Sequence, residues 1–207
     1  MNLPKNWSQV SVGRFQEMYP YLTSDLPLRE KVVGIISVST GKSVDYVKNN
    51  NSLEELVKIA GKVEFLESFK DLTKVKTNFK LDKRYTTEVD FRKMKAAQYI
   101  DFGEQLKACK GDEYFIIKNM HKILACTLIE RKRFKRLEYD GEGMKERAEE
   151  IKQKMSIKDA YPLCVFFCSY FQELTRVMQD YGNKQILKAN GIIESVLQDW
   201  QKDGAGT

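Results

Sequence analysis

The chain has 207 residues, of which 42% are apolar and 31% are charged, and its formal net charge at pH 7 is +6. That length supports one domain or two small ones, and the composition is typical of a soluble protein with a buried core. No stretch reaches the roughly 18 consecutive apolar residues that cross a bilayer, and no secretory leader follows the first methionine. We therefore expect a cytosolic protein that does not enter membranes.

Helix signals fill the first 70 residues. Four residues stand where a helix should begin or end: Ser11, Gly41, Ser43 and Ser52. Ser52 is followed by Glu55 in the capping-box pattern, and a further helix is expected to begin at Ser24 or Asp25. With only 12 glycines and 4 prolines in the chain, few residues interrupt helices. We therefore predict a helical subdomain over residues 1–70.

The pattern changes between residues 73 and 89. Apolar and polar residues alternate there, so that Val75, Phe79 and Leu81 share one face of an extended strand. Asp82 and the lysine after it can turn the chain, and the next residues are rich in β-forming types. The sequence predicts a β-hairpin over residues 71–90, which needs the rest of the protein to pack on.

Helical spacing returns near residue 90. We predict helices over residues 90–110, 113–132, 144–155 and 156–182, with a loop at 137–143. Residues 112–129 and 157–178 are apolar on most faces and are expected at the buried centre. A break at Gly182 is expected to separate the core, 91–182, from a C-terminal amphipathic helix and tail, 183–207. The predicted fold class is mainly α: a helical bundle of about seven to eight helices with one inserted β-hairpin.

The residues that usually carry chemistry do not form a recognisable site. His121 is the single histidine, and no nucleophile or orienting carboxylate can be placed beside it. The Gly-Lys-Ser at residues 41–43 lacks the earlier glycine of a phosphate-binding loop, because Ile36 stands at that position. The cysteine spacing indicates reduced core residues rather than a zinc site. We expect no enzyme, no cofactor and no metal ion.

Positive charge is concentrated in two segments. Residues 70–95 hold nine basic and four acidic residues, and residues 131–136 hold five basic residues and no acidic one. Such runs favour a phosphate backbone or an acidic protein surface, although a solubilising loop is the third alternative. The predicted contact residues, of which the five aromatic ones are proposed as anchors, are Trp7, Lys76, Phe79, Lys80, Lys83, Arg84, Tyr85, Arg131, Lys132, Arg133, Phe134, Lys135, Arg136 and Trp200.

Several segments together form a recognisable pattern: Leu3-Pro4-x-x-Trp7 with Val12 and Phe15, Gly34–Gly41, Ala97–Phe102, Lys122–Ile129, Ser156–Ala160 and Phe166-Phe167. This pattern resembles small helical proteins encoded by Bacteroidales phages and prophages, and it spans about residues 3–180. Members look like tail-assembly chaperones or virion connector proteins, including those of crAss-like phages. The resemblance implies no catalytic residues.

The chain departs from this pattern after Ile129, where the basic run 130–136 replaces an expected turn containing proline and glycine. That departure indicates an acidic or nucleic-acid partner. We predict a non-enzymatic head–tail connector or tail ring component that assembles with itself and other phage head–tail proteins. It would assemble in the bacterial host cytoplasm and end in the virion, with contact to packaged DNA left open. The alternatives are a soluble tail-assembly chaperone absent from the virion and a basic nucleic-acid-binding helical module.

Overall fold

In the computed structural model of the chain, the described residues are 3–76, 80–81, 84–87, 93–132, 135–136 and 139–203. Side chains are described for these residues except at positions 67, 87, 131, 132, 135, 136 and 184–203. Eight α-helices lie within them, so the predicted mainly α fold is confirmed. They are α1 (Val12–Thr23), α2 (Leu28–Thr40), α3 (Val44–Asn50), α4 (Leu53–Lys62), α5 (Ala96–Ala108), α6 (Glu113–Ala125), α7 (Met144–Lys154) and α8 (Ile157–Asp203).

Most of the predicted helix ends are confirmed by their capping hydrogen bonds. The Ser11 hydroxyl accepts from the backbone N–H of Arg14, and Ser52 and Glu55 form the reciprocal capping box. Gly41 ends α2 with a φ of 65°, the left-handed conformation that glycine adopts without strain. The start of α2 is a correction, because it follows Pro27 rather than Ser24 or Asp25. Proline fits there because the N–H that it lacks has no helical partner at a helix start.

The predicted hairpin is present but is part of a larger antiparallel sheet. Its strands are β1 (Lys80–Leu81) and β2 (Tyr85–Thr87), joined by a turn in which the N–H of Arg84 donates to the carbonyl of Leu81 at 3.0 Å. Two further strands, β3 (Leu128–Lys132) and β4 (Lys135–Arg136), complete the order β1-β2-β3-β4. Residues 73–76, predicted to be strand, are irregular.

The predicted helix over residues 113–132 is wrong in its second part. Helix α6 ends at Ala125, and Leu128 to Glu130 pair with β2 instead. Pairing with β2 satisfies the backbone groups of both segments and buries Leu128 and Ile129, which are 1% and 4% exposed. Tertiary pairing has therefore overridden a local pattern that suits a helix.

The first compact unit, Met1–Phe166, is built around apolar side chains from α1, α2, α6 and α8. One cluster joins α2, α3 and α4 through Val33, Ile36, Val47 and Leu56. Helices α1 and α2 approach so closely that a Cβ at Gly34 would overlap the ring of Tyr21. Glycine at that position lets the two helices pack in direct contact.

Residues before α1 and before α8 are joined by an isolated antiparallel β-bridge between Ser11 and Ser156. The N–H of Val12 donates to the carbonyl of Met155 at 2.9 Å, and the N–H of Ile157 donates to the carbonyl of Val10 at 2.8 Å. All four apolar residues of the bridge are at most 1% exposed. The bridge therefore closes the first unit by holding two distant parts of the sequence side by side.

The second compact unit, Phe167–Thr207, contains the greater part of α8. This helix has 47 residues and continues through Gly182, so the predicted break at that glycine is wrong. A glycine costs a helix only about 1 kcal/mol relative to alanine, which neighbouring helix-forming residues can offset. At 1.5 Å per residue α8 is about 70 Å long. None of the described helices is apolar enough over a sufficient length to span a membrane.

Candidate functional site

The candidate functional site is a two-stranded segment formed by the end of β3 and by β4, here called the basic ribbon (residues 131, 132, 135 and 136). Its register places Arg131 opposite Arg136 and Lys132 opposite Lys135. The ribbon is therefore a short antiparallel pair whose four residues are all basic.

The ribbon lies beyond the N-terminal end of β2. The first pair between β2 and β3 joins Tyr85 to Glu130, whereas the pairs between β3 and β4 start at Arg131. Within the residues that the structure describes, β4 pairs with β3 alone and forms the edge of the sheet. An edge strand rich in arginine and lysine resists pairing with other strands, which leaves its charges as the feature that a partner would meet.

Residues 139 and 140 are held by a half-buried tyrosine and a buried arginine. The Tyr139 hydroxyl donates to Asp101 Oδ2 at 2.6 Å, and Arg147 Nη2 donates to the carbonyl of Asp140 at 2.7 Å. Arg147 is 5% exposed and also donates through Nε to the carbonyl of Ala125 at 3.2 Å. Burial, and then the bond to Asp101, raise the pKa of Tyr139 far above its ordinary value. These bonds join residues 139 and 140 to α5 and α7.

A thiol lies beside this anchor without being activated by it. Cys126 is buried, and its Sγ lies 3.5 Å from the Met144 Sδ. Burial, with a smaller contribution from Asp101, raises the pKa of Cys126 to about 12. A thiol of that pKa is protonated at neutral pH and is a poor nucleophile. The cysteine is therefore a packing residue, as its sequence context predicted.

The other end of the ribbon is braced by Arg84 at the start of β2. Its Nε donates to Glu130 Oε1 at 3.0 Å, and its Nη1 donates to Glu146 Oε1 at 3.0 Å and to Glu150 Oε1 at 3.2 Å. The bonds to Glu130 and Glu146 raise the pKa of Arg84 well above its ordinary value. Its guanidinium also lies 4.9 Å from the Tyr85 ring centroid. This side chain therefore joins the sheet to α7, and its predicted contact with a partner stays a prediction.

The other predicted contact residues that the structure describes differ in their exposure. Trp7 and Tyr85 are 3% and 2% exposed, so their prediction as surface anchors is wrong. Lys76 pairs with Asp159, with 2.5 Å between Nζ and Oδ1. Lys80 is exposed and agrees with a surface role. The remaining predictions stay predictions, because they fall on residues or side chains outside the description: Phe79, Lys83, Arg133, Phe134, and the side chains of Arg131, Lys132, Lys135, Arg136 and Trp200.

The single histidine lies in a structural hydrogen-bond cluster. His121 is 8% exposed, and its Nδ1 lies 2.9 Å from the Gln16 Nε2. The same Gln16 amide nitrogen donates to the carbonyls of Ile117 and Lys118 at 2.8 and 2.9 Å. Nδ1 must be unprotonated to accept from this amide. The imidazole therefore joins α1 to α6 in its neutral form.

Protonation of His121 is expected to destabilise the protein in mild acid. Burial first, and then the charges of Lys152 and Lys122, lower its pKa from 6.5 to about 4, against a smaller opposing effect of Glu149. Above pH 6.5 the imidazole is neutral in both the folded and unfolded chains. Between pH 6.5 and 4 only the unfolded chain takes up the proton, so the free energy of unfolding falls by up to about 3 kcal/mol.

Urea unfolding at about pH 7 and about pH 4.5 measures this contribution. His121→Gln cannot take up the proton, so its free energy of unfolding should fall by about 2 kcal/mol less than that of the wild-type chain over this interval. Carboxylates titrate in both proteins, and the difference between the two proteins removes their effect. Equal losses would show that the imidazole is not the group responsible.

A second exposed surface lies on α8. Tyr170, Leu174, Val177 and Tyr181 are spaced so that they fall on one face of the helix, and Met178 flanks them. Val177, Met178 and Tyr181 are 52%, 56% and 65% exposed. Residues up to 178 were predicted to be the buried centre, so this part of the prediction is wrong. We call these five residues the apolar face of α8.

Two grooves of the first unit differ in their lining. One groove of about 320 Å³ is lined mainly by aliphatic side chains, among them Leu22, Leu28 and Ile35. A second, of about 590 Å³, is lined by charged side chains, and Lys76 and Asp159 pair with each other within it. Among the described residues, no three His, Cys, Asp or Glu side chains lie close enough to share a metal ion.

Comparison of the chain with protein-family models, with curated proteins and with solved structures finds no match. The two surfaces described above are therefore the basis for a functional interpretation.

Proposed function

We propose that this protein is a non-enzymatic assembly protein that associates with copies of itself through the apolar face of α8. Its place would be in bacteriophage particle assembly, as an oligomerising head–tail connector or tail ring component. The observation that supports self-association is the exposure of Val177, Met178 and Tyr181 on one helix face. The phage setting is supported by the sequence resemblance alone, which covers about residues 3–180.

The spacing along α8 is the spacing of helices that pack together. Tyr170, Leu174, Val177 and Tyr181 are separated by four, three and four residues, as in the apolar seam of a coiled coil. The next apolar residue after Tyr181 is Ile186, five positions on, so the alternation of three and four stops at Tyr181. The seam from Tyr170 to Tyr181 buries apolar area when a second helix packs on it.

Several residues of α8 outside the seam are polar and exposed. Glu173 and Arg176 form an ion pair three residues apart, and Gln172 and Gln179 are exposed on the opposite side. Burial of a Val, Met or Tyr side chain from water contributes on the order of 1.5–3 kcal/mol. Three such residues from each of two helices provide enough free energy for association, after the entropic cost of bringing two chains together.

The experiment that tests self-association is the molar mass in solution of the whole chain, by sedimentation or light scattering, from about 1 to about 100 μM. We expect an oligomer of fixed stoichiometry. The double variant Val177→Glu with Tyr181→Glu places charges in the seam and should be monomeric with an unchanged circular dichroism spectrum. The matched control, Gln172→Glu with Gln179→Glu, adds the same charge on the opposite side and should assemble like the wild-type chain.

A wild-type chain that is monomeric throughout this range would overturn self-association, and so would equal dissociation of the two double variants. The phage role is tested separately by quantitative mass spectrometry of purified particles. A ring component should be present at a fixed multiple of the portal copy number. Abundance in infected cells together with absence from particles would overturn the ring proposal and support the alternative of a transient tail-assembly chaperone.

A further inference from the structure

We infer that a groove in the first unit binds a medium-chain aliphatic carboxylate, with the hydrocarbon in the groove and the carboxylate at Lys31. This inference goes beyond the proposed assembly role and does not depend on the apolar face of α8. The groove has a volume of about 320 Å³ and lies where the end of α1, the first half of α2 and the end of α4 meet. Nine of the eleven residues that line it are apolar, and the other two are Thr23 and Lys31.

The apolar lining includes both buried and exposed side chains. Val32, Ile35 and Leu66 are buried and form the inner wall. Leu26 and Leu28, on the turn before α2 and at its first residue, are 43% and 63% exposed. Free energy is gained when an apolar group covers such side chains and removes them from water. The two leucines therefore form an outer wall that a hydrocarbon chain would cover.

One polar group of the lining is available to a ligand as a donor. The Thr23 hydroxyl already donates to the carbonyl of Tyr19 at 2.9 Å. Lys31 is half-buried, and its ammonium group carries three N–H donors and a positive charge. The carboxylate next to it in sequence, Glu30, lies 2.8 Å from the Lys48 ammonium group on α3. The electrostatics of the lining therefore favour a ligand with an anionic end.

The charge of the lining selects the kind of anion. Lys31 is the one charged side chain among the described residues that line the groove. A carboxylate carries one negative charge, which one ammonium group balances. A phosphate monoester carries about −1.5 to −2 at neutral pH, so part of its charge would stay unbalanced beside an apolar wall. A monoanion is therefore the better match.

The volume of the groove selects a slender ligand. Small-molecule sites have volumes of about 300–1,000 Å³ and are lined mainly by apolar side chains with few polar groups. A water molecule takes up about 30 Å³ in the liquid, and a methylene group is of similar size, so the groove holds on the order of ten heavy atoms. One turn of an α-helix with its side chains takes up about 420 Å³. An extended hydrocarbon therefore fits the groove better than a helix of a partner protein does.

The affinity is expected to depend on chain length up to a limit. Each methylene group that leaves water should tighten binding by up to about 4-fold. From hexanoate to octanoate to decanoate, each step should therefore give about a 10-fold gain, because the open side of the groove leaves part of the chain in water. Dodecanoate should gain little over decanoate, since its additional methylene groups lie outside the groove. Isothermal titration calorimetry of the whole chain, below the concentrations at which micelles form, measures the series.

The role of the charge is tested with Lys31→Gln, which keeps a polar side chain of similar length. This variant should bind octanoate about 10-fold more weakly than the wild-type chain does, because a charge-assisted hydrogen bond is lost. Its affinity for octanol should be unchanged, since octanol has the same hydrocarbon and no charge. The matched control is Lys58→Gln, which removes an exposed lysine of α4 that does not line the groove. It should bind both ligands like the wild-type chain.

The role of the apolar wall is tested with Leu28→Glu. The carboxylate of this variant would replace apolar contact and repel the ligand, so octanoate binding should weaken more than 10-fold and octanol binding about 4-fold. Leu53→Glu is a close control, because Leu28 and Leu53 are each the first residue of a helix and are 63% and 64% exposed. Leu53 does not line the groove, and its variant should bind normally. Circular dichroism establishes that each variant is folded.

Several results would overturn the inference. Absence of binding at about 1 mM decanoate is one, and equal losses of octanoate and octanol in Lys31→Gln are another. Equal impairment of Leu28→Glu and Leu53→Glu, or an affinity that keeps rising beyond dodecanoate, would indicate adsorption to the surface at large. Sedimentation with vesicles of phosphatidylcholine and phosphatidylglycerol separates a lipid surface from a free ligand. Binding to the vesicles without binding to decanoate would identify the surface and exclude the free carboxylate.

The assembly variant separates this test from that of the proposed function. Val177→Glu with Tyr181→Glu should be monomeric and should bind decanoate with the affinity of the wild-type chain. A wild-type chain that is monomeric but binds decanoate would overturn self-association alone. A wild-type oligomer that does not bind decanoate would overturn the ligand site alone.

Discussion

Replacement of Trp7 by alanine is expected to lower the free energy of unfolding by about 4 kcal/mol, the range measured for large aromatic residues in protein cores. The Trp7 ring lies 5.3 to 5.8 Å from the ring centroids of Phe65, Phe69 and Phe15. Its indole N–H donates to the carbonyl of Ser68 at 3.2 Å. Alanine would leave a cavity among these rings and an unpaired carbonyl. Urea unfolding followed by circular dichroism measures the change.

Trp7→Phe is the matched variant for this prediction. It keeps an aromatic ring against Phe15 and Phe69 but removes the N–H bond to Ser68, so a loss of about 1 to 2 kcal/mol is expected. The two variants together separate ring packing from hydrogen bonding. If Trp7→Ala left the unfolding free energy unchanged while oligomers dissociated, Trp7 would be the interface anchor that the sequence predicted, and its burial in the core would be disproved.

Replacement of Arg147 by alanine is expected to cost about 3 to 5 kcal/mol, although no carboxylate pairs with it in the described hydrogen bonds. The guanidinium lies 5.0 Å from the Tyr139 ring centroid and donates to the carbonyls of Ala125 and Asp140. Alanine would remove the stacking partner and leave the buried carbonyl of Ala125 without its donor, and it would also remove the donor to the carbonyl of Asp140, an exposed residue. The unfolding midpoint in urea, with an unchanged m-value, measures this loss.

Two controls identify the cause of the Arg147 effect. Arg147→Met keeps most of the packing volume and removes the donors, so it should lose about half as much free energy. Arg176→Ala removes an arginine that is exposed on α8 and pairs with Glu173 on the same helix. It should leave the unfolding midpoint unchanged. Equal destabilisation by Arg147→Ala and Arg176→Ala would contradict a role for the buried hydrogen bonds.

The parts of the fold that the sequence predicted well are those fixed by local interactions. Ser11, Ser43 and Ser52 each cap a helix with a hydrogen bond to a backbone N–H three residues on, which requires only neighbouring residues. Gly41 ends α2 because its left-handed φ of 65° suits glycine. The turn between β1 and β2 is equally local.

The parts that the sequence could not predict depend on distant residues. Nothing near Leu128 shows that β2, more than 40 residues earlier, will pair with it and end α6. The neighbours of Trp7 in sequence are polar, whereas its contacts are aromatic residues up to 62 positions away. Gly182 was predicted to end a helix because glycine disfavours helical structure. The free-energy cost of one glycine is small, and the helical residues on both sides of Gly182 offset it.

The candidate site also has features that the sequence predicted and features that it did not. The concentration of basic residues at 131–136 was evident from the sequence, but the pairing of residues 131 and 132 with 136 and 135 was not. Arg84 was predicted to contact a partner because its sequence neighbours are basic. Its three carboxylate contacts come from β3 and α7, and a single sequence gives no sign of that convergence. The exposure of the apolar face of α8 was equally hidden.

The β-bridge between Ser11 and Ser156 has a consequence for the order in which the chain folds during synthesis. Residues 145 positions apart must meet before the backbone groups of Val12 and Ile157 find their partners. Until the ribosome has released the start of α8, α1 lacks one side of its environment. The first unit therefore completes its fold only after the start of α8 has emerged, and contacts this distant in sequence slow folding. A nascent chain stalled before residue 157 should be digested by protease at α1, and one stalled after residue 200 should resist.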